Sequence, residues 1–100
     1  MTVTVVTRWT TPNVPASTKV ATRSRALWKK LGALDVRLNQ MFTGPQTGQW
    51  LFVVVFPDMA VYAKASAAAT ASADMQELLA DNAKIGAVMH EREILVGLDF

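Results

Sequence analysis

The sequence predicts an α+β fold with the element order βαββαβ, the ferredoxin-like arrangement. Four segments have the composition of strands, and two helical patterns connect the first to the second and the third to the fourth. The third strand segment, Trp50–Phe56, is apolar at every position, which indicates a central strand covered on both sides. Right-handed crossovers place strands one and three in the centre of a four-stranded antiparallel sheet, with both helices on one face. At 100 residues the chain forms one domain, residues 1–100.

The first half of the chain supplies one strand and one helix. Residues 2–9 alternate and are rich in β-branched types, which predicts the first strand. Asn13 is a suitable N-cap for the helix that follows, Pro15 is tolerated in its first turn, and Gly32 suits the position after its last residue. The apolar positions of this helix lie on one face at the spacing i, i+7, i+8, i+11: Val20, Leu27, Trp28 and Leu31.

The second and third strands form a hairpin. Residues 34–42 alternate between apolar and polar types and predict the second strand. Residues 43–49 contain two glycines and a proline and predict the loop, after which Trp50–Phe56 forms the third strand. Asp58 follows and can cap the next helix.

The second helical region is alanine-rich from Ala63 to Ala73. Asp74, with Glu77 three residues later, has the pattern of a second cap, so we expect either one broken helix or two helices end to end. Gly86 ends this region, and residues 88–98 predict the last strand. Strict alternation in that strand places His90 and Arg92 on the same face.

The composition excludes several kinds of site. The chain has no cysteine, which excludes a disulfide scaffold, a thiolate metal site and a cysteine nucleophile. It has one histidine, which excludes a multi-histidine metal cluster within one chain. No glycine-rich phosphate loop is present. We therefore expect neither a metal nor a cofactor.

Membrane and nucleic-acid partners are disfavoured. The longest run of large apolar residues has seven members, whereas a membrane helix needs about 20, so we expect a cytoplasmic protein. RNA-recognition modules share the βαββαβ order, but the third strand here lacks the basic residue and two of the aromatic residues of their motif. Residues 1–34 carry six basic and no acidic residues, which indicates either a solvated helix face or a docking surface for an anionic partner.

The predicted layout leaves one face of the sheet uncovered. That face would carry Leu51, Val53 and Val55, or their even-numbered neighbours, together with apolar residues of the flanking strands. From standard strand spacings its area is roughly 350–400 Å². A patch of this size usually marks an interaction surface, so we expect a homodimer in which the two sheets face each other.

The stretch from Phe56 to Lys64, the segment from Asp74 to Ala80 and the strand that follows them resemble the dimeric α/β-barrel superfamily. This superfamily includes antibiotic-biosynthesis monooxygenases, stress-responsive barrel domains, haem-degrading enzymes and muconolactone-type isomerases. The resemblance covers nearly the whole chain and rests on scaffold features. It implies a sheet-to-sheet dimer, a dimeric α/β barrel, with a ligand cavity between the sheet and the helices of each subunit.

Four residues are candidates for such a cavity. Histidine is suited to general acid–base catalysis near neutral pH, and His90 is the candidate catalytic residue. Arg92 could hold a carboxylate or an enolate, while Trp9 and Tyr62 could line the ligand site. Each also has a structural interpretation: His90 hydrogen-bonds or faces the partner, Arg92 pairs with a nearby glutamate, and the aromatic residues pack. The alanine-rich helix either docks closely on the sheet or leaves room for a flat ligand.

The sequence thus supports two functions. The first is a homodimer that binds a small aromatic, apolar or lactone-like molecule and transforms it without a metal, in the manner of a cofactor-independent monooxygenase or an isomerase. The second is a non-catalytic dimerisation or ligand-sensing module whose apolar faces serve assembly. A filled core without a cavity would favour the second.

Overall fold

The computed structural model describes residues 1–100 and contains one sheet covered on one face by helices. The elements in chain order are β1 (Val3–Thr10), α1 (Val14–Lys30), β2 (Asp35–Gln40), β3 (Trp50–Phe56), α2 (Met59–Ala71), α3 (Ala73–Ile85) and β4 (Val88–Val96). The sheet is antiparallel with the order β2-β3-β1-β4, so strands one and three are central, as the sequence predicts. The predicted ferredoxin-like fold is confirmed. No helix is both long enough and apolar enough to cross a membrane.

The register of the strands decides which side chains face the helices. Val3 pairs with Phe56, and Val5 pairs with Val54. These residues form the buried core together with Val36 of β2 and Ala65 of α2. Because side chains alternate along a strand, the odd residues of β3 point to the other face, which no helix covers. We call that surface the open face.

The open face is less apolar than the sequence analysis predicts. Leu51, Val53 and Val55 form a central apolar strip, and Val6 and Leu95 of the neighbouring strands extend it, as predicted. The same strands and β2 also contribute charged side chains, which the sequence analysis did not predict for this face. On β2, Arg37 donates to Asp35 at 2.6 Å. On the other side of the strip, Arg8 Nε donates to Glu93 Oε1 at 3.0 Å and lies 3.8 Å from Glu91 Oε2. The strip is therefore bordered by two sets of ion pairs.

Local capping sets the helix boundaries. The Asn13 side chain accepts a hydrogen bond from the Ala16 backbone N–H, and Asp58 does the same for Val61, as expected for N-caps. The break between α2 and α3 falls at Ser72, whose hydroxyl oxygen accepts from the Met75 N–H at 3.0 Å. The predicted cap at Asp74 is wrong, because Asp74 already lies in the first helical turn.

A β-bulge interrupts the pairing of β1 with β4. Arg8 pairs with Glu91, but Trp9 pairs with Met89, so His90 is an extra residue without a partner on β1. Beyond the bulge β4 pairs regularly, and it is exposed along its whole length. Its aliphatic residues Ile94, Leu95 and Val96 are 46%, 52% and 48% exposed. Beta-bulges commonly redirect side chains at the edge of a sheet.

Candidate functional site

A cavity of about 320 Å³ lies between the sheet and the helices. Its floor comes from the helix-facing residues of β1, β3 and β4, and its roof comes from α2 and α3, with Trp28 of α1 at one side. The lining is mostly apolar, and the polar residues are uncharged apart from one arginine, Arg92. A concave, largely apolar site with a few convergent polar groups is typical of small-molecule binding.

Arg92 and Tyr62 meet at this cavity. Arg92 Nη2 donates a hydrogen bond to Tyr62 Oη at 3.1 Å, and both residues belong to the lining. Arg92 is exposed, which places its guanidinium at the mouth of the cavity. It takes part in no ion pair, because Glu91 and Glu93 lie against Arg8 instead. The alternative in which Arg92 pairs with a neighbouring glutamate is therefore wrong.

The Tyr62 ring is held by aromatic packing. It lies edge-on to Phe56, with ring centroids 5.5 Å apart and planes inclined by 62°. Phe56 in turn packs edge-on against Trp28 at 5.9 Å. Offset and edge-to-face pairs of this kind are the favoured aromatic geometries. The chain of rings fixes Tyr62 so that its hydroxyl reaches Arg92.

His90 lies outside the cavity. The bulge makes it the extra residue of β4, and its Nε2 lies 2.7 Å from the Thr10 hydroxyl oxygen. Met89, opposite Trp9, takes the place in the lining that strict alternation assigns to His90. The prediction that His90 and Arg92 share a face is wrong because of the bulge, and His90 does not line this cavity.

The alanine-rich helix fulfils both of its proposed roles. Ala65 is buried in the core against the sheet, where its small side chain allows close docking. One turn later Ala69, with Ser66 and Thr70, lines the cavity, where small side chains leave space. The sequence analysis assigned this stretch to one of two roles without naming these residues, and it missed Gln76 and Asn82 of α3. The available signal was polar residues on the inward side of an otherwise apolar helix pattern.

The site combines aromatic walls with two hydrogen-bond donors at one end. The Arg92 guanidinium carries a fixed positive charge, and the Tyr62 hydroxyl accepts from it, which leaves the phenolic proton free to donate. A flat apolar molecule with an anionic oxygen at one end matches this arrangement. The two resolved pKa shifts lie elsewhere: Asp81 raises the pKa of Arg23, and Arg37 lowers the pKa of Asp35, each mainly through a direct hydrogen bond.

Solved structures resemble this chain over nearly its full length. SnoaB from Streptomyces nogalater, a cofactor-independent oxygenase, superposes with a TM-score of 0.73 at 16% identity, covering 99% of this chain and 95% of SnoaB. A Chloroflexus aurantiacus protein assigned to the antibiotic biosynthesis monooxygenases gives 0.63 at 11% identity, covering 100% and 96%. The chain has their fold.

A third protein with this fold has no known function. A NIPSNAP family protein of unknown function from Agrobacterium tumefaciens gives a TM-score of 0.63 at 12% identity, covering 94% of this chain and 84% of its own. No protein-family model matches the sequence, and no curated protein matches it. At these identities the ferredoxin-like fold is shared, as the sequence resemblance predicts, and the activity does not follow from it.

Proposed function

We propose that this protein binds a small aromatic or lactone-like anion in the cavity between its sheet and its helices. The observation that carries the proposal is Arg92, a guanidinium without a carboxylate partner at the mouth of an otherwise uncharged cavity. An acid in the ligand would supply the missing counter-charge. A charge-assisted hydrogen bond of this kind contributes about 1.5–3 kcal/mol when formed.

The rest of the lining supports a flat ligand body. Trp9, Trp28 and Tyr62 present aromatic surfaces around the cavity, and the small residues of α2 leave room above them. Aromatic side chains bind planar apolar molecules through both burial and ring stacking. The ligand body would lie among these rings, with its anionic oxygen between Arg92 and the Tyr62 hydroxyl.

The chemistry that we propose for this site is oxidation by dioxygen without a cofactor, by analogy with SnoaB, a cofactor-independent oxygenase. Arg92 would stabilise the phenolate or enolate form of the ligand, which is the electron-rich form. For 1-naphthol the balanced reaction takes up one dioxygen molecule and yields 1,4-naphthoquinone and water. The substrate loses four electrons: two reduce the oxygen atom that becomes the new carbonyl, and two reduce the other oxygen atom, which leaves as water with the two hydrogens lost from the substrate.

A second function, ligand sensing without catalysis, is favoured by one observation. No imidazole or carboxylate lines the cavity, so a conventional general base is missing beside the ligand. The two functions differ in dioxygen uptake with 1-naphthol. Uptake faster than in a protein-free control supports oxidation. Uptake at the control rate, with 1-naphthol bound, supports sensing.

Binding is tested with a matched pair of probes. We expect 2-naphthoate to bind more tightly than the uncharged 2-naphthalenemethanol, and Arg92→Leu to weaken naphthoate binding roughly tenfold or more. The control is Arg25→Leu, which removes an exposed arginine of α1 outside the cavity. Equal affinities of wild type and Arg92→Leu for naphthoate, measured by calorimetry, would contradict the proposal.

We also propose that two copies pair through the open face. The strip of Leu51, Val53 and Val55 has no covering element within the chain, and Leu95 on the same face is half exposed. The bordering ion pairs bring both signs of charge to the rim, which suits a face that pairs with itself about a two-fold axis. The ligand cavity lies on the opposite side of the sheet, so pairing leaves it accessible.

A further inference from the structure

A smaller hollow lies directly beside the cavity. It has a volume of about 80 Å³ and is walled mainly by the first half of α1 and by Leu38 and Trp50 of the sheet. The hollow and the cavity share four lining residues: Trp9, Ser24, Phe52 and Asn82. These four residues border both spaces, and we call them the wall.

The strand register identifies Trp9 as the centre of that wall. Trp9 pairs with Trp50 on one side and with Met89 on the other, so the three side chains form one row across the sheet. Trp50 lines only the hollow, and Met89 lines only the cavity. Trp9, between them, lines both. Phe52 lies two residues beyond Trp50 in β3, so it is on the same face and continues the wall.

We propose that Trp9 determines the length of the ligand that the cavity accepts. This inference rests on the proposed function and adds a specificity-determining residue to it. With the indole in place, the aromatic body of the anion ends at Trp9. Without it, the cavity and the hollow become one elongated space that extends from Arg92 toward Trp50.

The hollow suits an apolar extension of the ligand. Val14, Val20, Ala21 and Leu38 contribute apolar surface to the hollow, so an added fused ring would exchange water for aliphatic contacts there. Steric exclusion by a rigid bicyclic side chain discriminates between ligands by size, because a close-packed wall yields only at a cost in strain. The selected ligand class is therefore a short aromatic anion, of about two fused rings rather than three in a line.

The test compares 2-naphthoate with the linear three-ring 2-anthroate, by calorimetry. We expect wild type to prefer naphthoate, and Trp9→Ala to shift the preference toward anthroate at least about tenfold. Trp50→Ala is the matched control, because it enlarges the hollow and leaves the wall intact; it should not shift the preference. An unchanged preference in Trp9→Ala, or a wild type that already prefers anthroate, would overturn the proposal.

A second measurement separates this inference from the proposed function. A crystal of Trp9→Ala under xenon pressure should show density running from the cavity into the hollow, whereas wild type should show two separate sites. If naphthoate fails to bind but xenon joins the spaces, the anion-binding function is wrong and the wall is real. If Trp9→Ala does not fold, Trp9→Leu serves in both experiments. Separate xenon sites in the folded variant would overturn the inference.

Discussion

The contact between Arg92 and Tyr62 joins two elements that are distant in sequence, β4 and the start of α2. Tyr62→Phe removes the hydroxyl and keeps the ring packed on Phe56. We expect roughly fivefold weaker binding of 2-naphthoate, the effect of one neutral hydrogen bond of about 1 kcal/mol. The melting temperature should stay within about 2 °C of wild type, because the ring packing is retained. Unchanged affinity would show that the hydroxyl does not touch the ligand.

For His90 we predict no effect on ligand binding. Because its ring lies against Thr10, away from the cavity lining, His90→Ala should leave the affinity for 2-naphthoate unchanged. The measurement is the same calorimetric titration, with Arg92→Leu as the positive control. A loss with His90→Ala comparable to that with Arg92→Leu would mean that the bulge is absent in solution.

The ion pair of Arg37 and Asp35 on β2 sets the pKa of the carboxyl group. The hydrogen bond from Arg37 lowers the pKa of Asp35, so Arg37→Ala should raise that pKa toward its ordinary value of about 3.9. A carboxyl whose pKa is lower in the folded state adds stability above its unfolded pKa and loses it as the pH falls through the folded pKa. The stabilisation is therefore constant above about pH 4, and Arg37→Ala should change the pH dependence of stability only below about pH 4. NMR titration of the Asp35 side-chain carbon checks the pKa, and an unshifted midpoint would contradict the prediction.

The structure brings together three of the four candidate residues that the sequence analysis named. Trp9, Tyr62 and Arg92 line one cavity, and their placement follows from period-two alternation in the strands and from the position of Tyr62 one turn into its helix. Their roles in binding remain a prediction. His90 was misplaced because the bulge depends on the pairing with β1, and no glycine or proline marks it in β4.

At the scale of the elements, the junction of α2 and α3 depends on one hydroxyl. Ser72→Ala removes the acceptor for the Met75 N–H and should destabilise the protein by about 1 kcal/mol. Asp74→Ala removes a carboxylate from the first turn of α3 and should cost about half of that or less. Urea denaturation of the two variants measures which of them loses more free energy of unfolding. A larger loss of stability for Asp74→Ala than for Ser72→Ala would contradict the assignment of Ser72 as the cap.

Cap chemistry explains which helix boundaries could be predicted. Asn13 and Asp58 each stand alone between a strand and a helical pattern, so the sequence offers one cap at each place. The segment from Ser72 to Asp74 contains two side chains that cap well, and the glutamate at Glu77 favoured the wrong one. The choice depends on backbone direction: Ser72 has an extended conformation with ψ at 140°, and Asp74 is already helical.

At the scale of the whole molecule, the order of the strands follows from crossover handedness and from the apolar third strand, so the topology was predictable. The composition of the open face was not. Trp50–Phe56 is apolar on both sides, so alternation alone could not say which side faces the helices. The charged residues of β2 and β4 therefore could not be assigned to the open face until the sheet was assembled.

Pairing of two copies is tested at the centre of the apolar strip. Val53→Asp places an unpaired carboxylate there, and burying it without a partner is costly, so we expect the dimer to dissociate. The control is Ala67→Asp, which adds the same charge to an exposed position of α2. Sedimentation velocity at micromolar concentration distinguishes the states. Equal sedimentation of Val53→Asp and wild type would contradict pairing through this face.

The most direct test of the central claim is native mass spectrometry with 2-naphthoate. We predict a species of twice the 10.9 kDa chain mass that carries two naphthoate ions, and an Arg92→Leu dimer that carries none under the same conditions. That result would show in one observation that the protein is a dimer, that each subunit binds one naphthoate and that binding depends on Arg92. A monomer, or a naphthoate load that is the same in wild type and Arg92→Leu, would contradict the account.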